Sequence, residues 1–248
     1  IGALTEELVD TSYETADDIA ALKKTPSGAF GSCRFKMNSL EQNKREYERL
    51  IAVFKAHNIG YFFYNGGGDS ADTCYKVSQL SEAMGYPIQA IHIPKTVDND
   101  LPITDNCPGF GSVAKYIAVS ALEASFDVNS MAKTSTKVFI LEVMGRHAGW
   151  IAAAGGLIED YNVPVLLLLP EIDFDQQKFL AAVKDKVENH GYCTVVVSEG
   201  ARYADGTFLA EQGTRDSFGH VQLGGAAPVV ANMIKDAHSY KFHWAVAD

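Results

Sequence analysis

The feature that most constrains the fold is an alternation of short apolar, β-branched runs with amphipathic helical patterns. The apolar runs cover five stretches, at 59–64, 88–93, 137–143, 163–169 and 193–198. The helical patterns lie near 41–57, 70–84, 110–131, 147–158, 175–189 and 226–238. Strands rich in Val, Leu, Ile and Phe without polar alternation are typical of parallel sheets buried on both faces. The sequence therefore predicts an α/β fold.

Charge and composition narrow the class of protein. The chain of 248 residues carries a formal net charge of −10, which argues against nucleic acid as a partner because nucleic acid binds basic surfaces. No apolar run approaches the ~20 residues that a membrane-spanning helix needs, so we expect no membrane partner. The four cysteines are widely spaced and form no metal-ligand cluster, which indicates reduced thiols in a cytoplasmic protein.

Polar, glycine-rich segments follow the predicted strands. In open parallel sheets ligands bind beyond the carboxyl ends of the strands, so these segments are where chemistry is expected. They are 65–70 (NGGGDS), 94–100 (PKTVDND), 144–147 (MGRH), 170–171 (PE) and 198–200 (SEG).

The segment 65–70 places three glycines between a strand and a helix. Glycine lets backbone amides approach an anion closely at a helix start, which favours phosphate binding. A flexible turn with Asp69 or Ser70 as the N-cap of the helix explains the same residues. The local pattern leaves both interpretations open.

The segment 94–100 concentrates charged and polar groups after a buried strand. If it is extended, Thr96, Asp98 and Asp100 share one side, next to Lys95. A carboxylate there suits proton abstraction from a hydroxyl during phosphoryl transfer, and a lysine neutralises phosphate oxygens. The alternative is a polar turn ended by Pro102.

Three further candidates each have a structural alternative. Gly145 and Arg146 fit a phosphate clamp or an ordinary strand-to-helix turn with a surface arginine. Glu199 fits contacts to sugar hydroxyls or a cap for the next segment. His220 taken alone is better explained as a core histidine than as a phosphate donor.

Taken together, these segments resemble the phosphofructokinase family along nearly the whole chain. The pieces that carry the resemblance are 31–35 (GSCRF), 66–70 (GGGDS), 94–100 (PKTVDND), 109–111 (GFG), 142–146 (EVMGR), 170–171 (PE), 198–199 (SE) and 219–222 (GHVQ). The resemblance implies a two-lobed, parallel-sheet, three-layer α/β sandwich. It further implies a phosphoryl-donor lobe at 1–109, a fructose 6-phosphate lobe at 110–222, and a return of 223–248 to the first lobe.

The resemblance also assigns roles to individual residues. Asp98 would be the base for the fructose 1-hydroxyl, with Lys95 and Asp69 as further catalytic residues. Sugar phosphate would be bound by Thr96, Val97, Asp98, Asp100, Met144, Gly145, Arg146, Glu199 and His220. Lys137 would reach into a neighbouring subunit's sugar site, which implies a homodimer or homotetramer. The donor phosphates would contact Arg34, Gly67, Gly68 and Asp69.

Two positions bear on the identity of the phosphoryl donor. Relatives that use ATP carry glycine in place of Asp69 and Lys95, whereas relatives that use pyrophosphate resemble this chain at both. At ~4 Å and an effective dielectric of ~20, a carboxylate at 69 would repel the α-phosphate of ATP by about 4 kcal/mol. We therefore expect transfer from inorganic pyrophosphate to O1 of fructose 6-phosphate. The alternatives are an ATP-dependent phosphofructokinase and a non-catalytic sugar-phosphate-binding subunit.

The chain also departs from the family pattern. Gly68 replaces an aspartate that helps to hold Mg²⁺ in many relatives, so we expect Asp69 to take that role. Leu223 replaces a sugar-phosphate arginine, and Arg215 is one place out of register with another. Two family motifs are missing, and the chain is expected to stop at Asp248 inside an unfinished helix. We therefore expect a fragment lacking both termini, and activity only from the intact protein.

Overall fold

The computed structural model describes residues 1–247 except 27, 34, 216–220 and 224, and the side chains of 212–215 and 221–223 are also outside the description. The chain divides into two compact units, Ile1–Ile93 and Pro94–Asp248. This boundary lies before the predicted one at 109. None of the helices in the described part of the chain has the length and apolarity to span a membrane.

The first unit combines helices with a two-stranded sheet. Its elements are α1 (Gly2–Thr5), α2 (Ala16–Ala21), α3 (Lys44–Ala56), β1 (Tyr61–Gly66), α4 (Gly68–Ala83) and β2 (Gln89–Pro94), with short 3₁₀ turns at Thr11–Tyr13 and Leu22–Lys24. In α3, Tyr47, Leu50, Ile51 and Phe54 are buried at the i, i+3, i+4, i+7 spacing of one helical face. This face packs with Val77 of α4 in the unit's core.

The second unit is built on a parallel sheet. Its elements are α5 (Phe110–Met131), β3 (Val138–Val143), α6 (Trp150–Ala154), a 3₁₀ helix (Gly155–Tyr161), β4 (Val165–Leu168), α7 (Gln176–His190), β5 (Cys193–Ser198), β6 (Glu211–Arg215), β7 (Val221–Leu223), α8 (Ala226–His238) and β8 (Phe242–Ala247). The strand order is β4-β5-β3-β8, and every pairing in this sheet is parallel. Strands β6 and β7 form a separate antiparallel pair.

Helices cover both faces of the parallel sheet. Alternate residues of β3 point to opposite sides, so Ile140 packs with Val183 of α7 and Ile234 of α8 in one cluster. Leu141 packs with Ile117 of α5 and Ile151 of α6 in the other. The predicted α/β class with a buried parallel sheet is confirmed, and the unit has three layers.

Most predicted elements are present, with ends shifted by a few residues. The predicted helices 110–131 and 226–238 and the strand 193–198 match α5, α8 and β5 end to end. The short strands β6 to β8 were not predicted. The expectation of a helix at the end of the chain is wrong, because 242–247 form β8 and pair in parallel with β3. Since α8 and β8 pack on this sheet, 223–248 belong to the second compact unit.

Candidate functional site

The turn between β1 and α4 carries the glycine-rich segment. Gly66 has no room for a side chain, since a β-carbon there would lie 2.0 Å from the Ser70 hydroxyl oxygen. Asn65 donates from Nδ2 to the Ile93 carbonyl at 3.1 Å, and His92 Nε2 lies 2.9 Å from the Gly66 carbonyl oxygen. These contacts tie the ends of the two strands together and fix the start of α4.

The N-cap of α4 is Gly67, so the helix begins before the polar residues. The structural alternative, in which Asp69 or Ser70 is the N-cap of the helix, is therefore wrong. Asp69 lies in the first turn, where the helix dipole favours a negative charge. Its Oδ1 lies 3.1 Å from Nζ of Lys36, an ion pair that sequence reasoning missed.

The segment after β2 is a turn and not the extended strand that would align alternate side chains. Val97 and Asp98 form the turn, and the Thr96 hydroxyl accepts a hydrogen bond from the Asp98 amide at 3.2 Å. A threonine hydroxyl that accepts a hydrogen bond from the amide two residues later stabilises a turn in place of an extended backbone. The side chain of Val97 packs against the cluster beneath α5 and β3.

Asn99 organises this turn, although sequence analysis gave it no role. It is buried and adopts a left-handed conformation with φ of 56°. Its Nδ2 donates to the Asp105 carbonyl at 3.2 Å, and its Oδ1 accepts from the Cys107 amide at 2.7 Å. Asparagine tolerates this backbone geometry better than most residues, which is the signal that could have identified it.

Asp98 is half-buried and unusually placed for a carboxylate. Its Oδ1 is buried without a hydrogen-bond partner among the described residues. Burial raises the pKa of Asp98, and the charge of Asp100 raises it further, against the lowering effects of Thr96, Lys95 and Arg146. The turn and the Arg146 guanidinium therefore share one electrostatic environment.

The turn after β3 brings Arg146 to this environment. Gly145 has φ of 124°, and a β-carbon there would lie 2.4 Å from the Ala148 carbonyl oxygen, so only glycine fits. Met144 packs against the same cluster as Val97. The Nε of Arg146 is buried without a hydrogen-bond partner among the described residues. The Asp98 Oδ1 and the Arg146 Nε thus both retain bonding capacity among the described residues.

The turn after β5 supports the turn after β3. The Ser198 hydroxyl donates to the Gly145 carbonyl at 2.5 Å, and the Glu199 amide donates to the Val143 carbonyl at 2.9 Å. A β-carbon on Gly200 would lie 2.0 Å from the Arg146 carbonyl oxygen. Parallel pairing of β3 with β5 therefore places Glu199 beside the Met144–Arg146 backbone, at the carboxyl ends of the two strands.

Two acidic side chains, the buried Glu142 and the exposed Glu171, accept hydrogen bonds at helix starts near the site. Glu142, in β3 directly before the turn, accepts a hydrogen bond from the Ala227 amide at the start of α8 at 2.8 Å. Glu171 accepts from the Gly149 amide at 2.7 Å at the start of α6. Their signal in the sequence was limited to the matching motifs 142–146 and 170–171.

An open pocket of ≈ 680 Å³ borders Asp100 and is lined by Asn99, Leu101, Pro102, Thr104, Asp105, His147, Ala148 and Trp150.

Some predicted site residues lie elsewhere or outside the description. Lys137 precedes β3, at the opposite end of that strand from Met144, and donates to the Ala132 carbonyl at 2.7 Å. Six strand residues span about 20 Å, so Lys137 does not join the Asp98 group within this unit. Arg34 and His220 lie outside the described residues, as do the side chains of Arg215 and Leu223.

Metal-binding capacity is modest in the described part of the chain, which contains no cluster of three or more His, Cys, Asp or Glu residues. Asp69 presents a single, 43% exposed carboxylate. Mg²⁺ keeps several waters and is commonly bound by one or two carboxylates together with substrate phosphates. This donor set therefore fits Mg²⁺ that arrives with a phosphate donor, and does not form a closed cage.

Comparison with known proteins finds similar sequences and a similar solved structure. Pyrophosphate–fructose 6-phosphate 1-phosphotransferases from Methylococcus capsulatus and Halomonas elongata are 70% and 67% identical to the chain, respectively. Each alignment covers the whole of this chain and 60% of the relative. A crystal structure of a pyrophosphate-dependent phosphofructokinase from Nitrosospira multiformis superposes with a TM-score of 0.84 at 67% identity, over the whole chain and 58% of that structure.

The chain thus spans about three fifths of the length of the curated relatives that it matches. Residues 2–246 match the Phosphofructokinase family profile, which is nearly the full chain. The family resemblance drawn from the motifs is confirmed: the chain belongs to the phosphofructokinase family.

Proposed function

We propose that the protein containing this chain transfers a phosphoryl group from inorganic pyrophosphate to O1 of fructose 6-phosphate, giving fructose 1,6-bisphosphate and orthophosphate in glycolysis. The observation that carries the proposal is the buried, unpartnered Oδ1 of Asp98, which shares its electrostatic environment with Lys95 and Arg146. A base and two cations in one environment fit phosphoryl transfer. The names of the similar proteins support pyrophosphate over ATP and over a non-catalytic role.

Asp98 serves as the base in this scheme. Its carboxylate takes the proton of the 1-hydroxyl while O1 forms a bond to phosphorus and the bridging P–O bond of the donor breaks. The raised pKa of Asp98 increases its proton affinity, and a base is more effective when its pKa approaches the working pH. Lys95 and Arg146 offset the negative charge on the phosphoryl oxygens.

The remaining side chains position the sugar phosphate. Arg146 offers a guanidinium whose Nε lacks a partner among the described residues, and guanidinium binds phosphate in a fork. Thr96, Val97, Asp100, Met144, Gly145, Glu199 and His220 complete the proposed acceptor set, and Lys137 reaches a second subunit's site. The second role requires a homodimer or homotetramer, which we include in the proposal together with a cytoplasmic location.

Donor selection depends on Asp69 and Lys95. A carboxylate in the first turn of α4 disfavours the α-phosphate of ATP, while a bare diphosphate has no third phosphate to place there. Gly67, Gly68 and Arg34 would hold the donor phosphates. Mg²⁺, bound through Asp69 and the donor's own oxygens, would supply charge neutralisation on the diphosphate when present.

A coupled assay on the full-length protein with pyrophosphate and ATP in parallel tests the proposal. We expect turnover with pyrophosphate at saturating fructose 6-phosphate and at least ~10²-fold less with ATP. Asp69→Gly is expected to narrow that gap. Equal turnover with both donors would contradict the donor assignment, and absence of turnover with either would favour the non-catalytic alternative.

A further inference from the structure

Lys36 and Asp69 form an ion pair inside the first unit. The Lys36 Nζ lies 3.1 Å from the Asp69 Oδ1, and the side chains are 32% and 43% exposed. The pair joins the segment after 31–35 to the first turn of α4. It therefore connects two stretches that are far apart in the sequence at the position to which the proposed function assigns donor choice.

Both partners are held in place by the core of this unit. Met37, next to Lys36, is buried with Tyr47 and Val77. The following residue, Asn38, donates its amide to the Asn43 side chain at 2.8 Å. On the other side, the Asp69 carbonyl accepts from the Thr73 hydroxyl at 3.0 Å. These contacts hold the backbone next to each partner of the ion pair.

The negative charge of Asp69 would repel pyrophosphate as well as ATP, and the ion pair with Lys36 reduces this repulsion. A carboxylate at position 69 repels the α-phosphate of ATP, but Coulomb repulsion acts equally on the two phosphates of pyrophosphate. A donor turn with an uncompensated negative charge would therefore bind its own donor weakly. The Lys36 ammonium lies 3.1 Å from the carboxylate and offsets part of that charge, so a bare diphosphate is repelled less, while Asp69 keeps its remaining charge and its space next to a third phosphate.

We propose that Lys36 sets the affinity for pyrophosphate by neutralising Asp69. Lys36 is thus a positioning residue for the donor, and its effect depends on the carboxylate at 69. The inference rests on the proposed function, because it assumes that pyrophosphate is the donor. It adds a residue that lies outside every motif on which the assignment of the site was based.

A second ion pair in the same unit provides a matched control. Lys44 Nζ lies 3.7 Å from Glu48 Oε1 at i, i+4 spacing on α3, with side chains 73% and 48% exposed. Exposed helix pairs of this kind contribute little. Lys44→Met removes the same charge by the same substitution from a surface lysine with no link to the donor turn.

The experiment uses the full-length protein and the variants Lys36→Met, Lys36→Arg, Asp69→Asn, Lys36→Met/Asp69→Asn and Lys44→Met. Steady-state kinetics give KM for each substrate, and calorimetric titration with magnesium pyrophosphate gives donor affinity without turnover. We expect Lys36→Met to weaken pyrophosphate affinity and raise its KM about fivefold, the upper end of what partly exposed ion pairs contribute. KM for fructose 6-phosphate should not change, and Lys36→Arg should restore most of the affinity.

The double variant decides whether Lys36 acts through Asp69. In the Asp69→Asn background, where the carboxylate charge is gone, Lys36→Met should change pyrophosphate affinity by less than about twofold. An equal loss in both backgrounds, a loss no larger than that of Lys44→Met, or a parallel rise of KM for both substrates would each overturn the inference. The wild-type assay separates the two proposals: turnover with ATP alone refutes the proposed function and this inference with it, whereas turnover with pyrophosphate leaves the variants to decide.

Discussion

Gly200 approaches the backbone of Arg146 so closely that a β-carbon on it would lie 2.0 Å from the Arg146 carbonyl oxygen. The turn after β5 therefore constrains the shape of the turn after β3 by direct backbone contact. Any side chain at 200 must displace the peptide that carries the proposed phosphate-binding guanidinium. Substitution at Gly200 thus tests whether the shape of these two turns controls the site.

We expect Gly200→Ala to reduce both stability and turnover. Forcing a methyl group into backbone contact typically costs about 1–3 kcal/mol, and a small displacement of a substrate-binding group can reduce kcat/KM about 10²-fold. Thermal unfolding and steady-state kinetics of the full-length protein provide the measurement. Gly111→Ala is the control, since a β-carbon at Gly111 meets no atom within 4 Å. Equal stability and equal turnover of the two variants would show that the contact of Gly200 with the Arg146 backbone does not control the site.

The hydrogen bond from the Ala227 amide to Glu142 predicts a graded response to substitution. Glu142→Leu leaves that buried amide without an acceptor, which typically costs about 1–3 kcal/mol. Glu142→Gln keeps an acceptor oxygen and should lose less. Urea unfolding of the two variants measures the difference. If leucine and glutamine destabilise the protein equally, the hydrogen bond is not the source of the stabilisation.

The raised pKa of Asp98 predicts the acid limb of the pH–rate profile. A base must be deprotonated to act, so kcat/KM should fall as pH drops through the folded-state pKa of Asp98, above the ~3.9 of an ordinary aspartate. Measurement of kcat/KM against pH tests this, with Thr96→Val expected to move the limb further upward, because Thr96 lowers the pKa. An acid limb at or below the ordinary value would exclude Asp98 as the titrating base.

Asp98→Asn should separate activity from stability. Turnover should fall at least ~10²-fold when the base is removed. Because the folded-state pKa is raised, the stabilisation associated with protonated Asp98 is complete below the unfolded-state pKa and is lost as pH rises through the folded-state value. The asparagine variant should therefore match or exceed the wild type in thermal stability at neutral pH. A clear loss of stability would indicate that the charge at 98 holds the turn together.

Cysteine accessibility checks the fold of both units. Cys33 is exposed, whereas Cys74, Cys107 and Cys193 are buried. Burial also raises the pKa of the Cys74 thiol, and that of Cys193 to about 12, so neither forms a thiolate readily. Brief alkylation followed by peptide mapping should modify Cys33 first, and the other three only in denaturant. Early modification of Cys193 would contradict the buried position of β5.

Local patterns predicted the regular elements well where one face or both faces are buried. Helix α5 matches its predicted range because it carries a long apolar face, and β5 matches because all six residues are buried. Strand β8 was missed since 242–247 are mostly exposed and mix aromatic, histidine and alanine residues. Its pairing with β3 is a tertiary event, which single-sequence periodicity does not report.

The roles assigned to the candidate site residues stay predictions, and the conformation of their turns was not anticipated from the sequence. The sequence grouped Lys95, Asp98, Asp100 and Arg146, and the charges acting on Asp98 come from these residues. The alignment of Thr96, Asp98 and Asp100 was conditional on an extended segment, and this condition is not met because 97–98 form a turn and Asn99 is held by backbone groups of 105 and 107. The Lys36–Asp69 pair was invisible for the same reason: contacts between distant segments depend on packing, not on spacing along the chain.

The flanking of β3 by two strands from later in the chain has a consequence for biosynthesis. Both β5 and β8 are made after β3, and Cys193 lies 50 residues beyond Val143. At translation rates of about 5–20 residues per second, β3 is exposed with both edges open for roughly 3–10 s before its first neighbour emerges. In newly made chains the apolar strand β3 is therefore unpaired on both edges for this time. The yield of folded protein should depend on chaperones that shield unpaired strand edges.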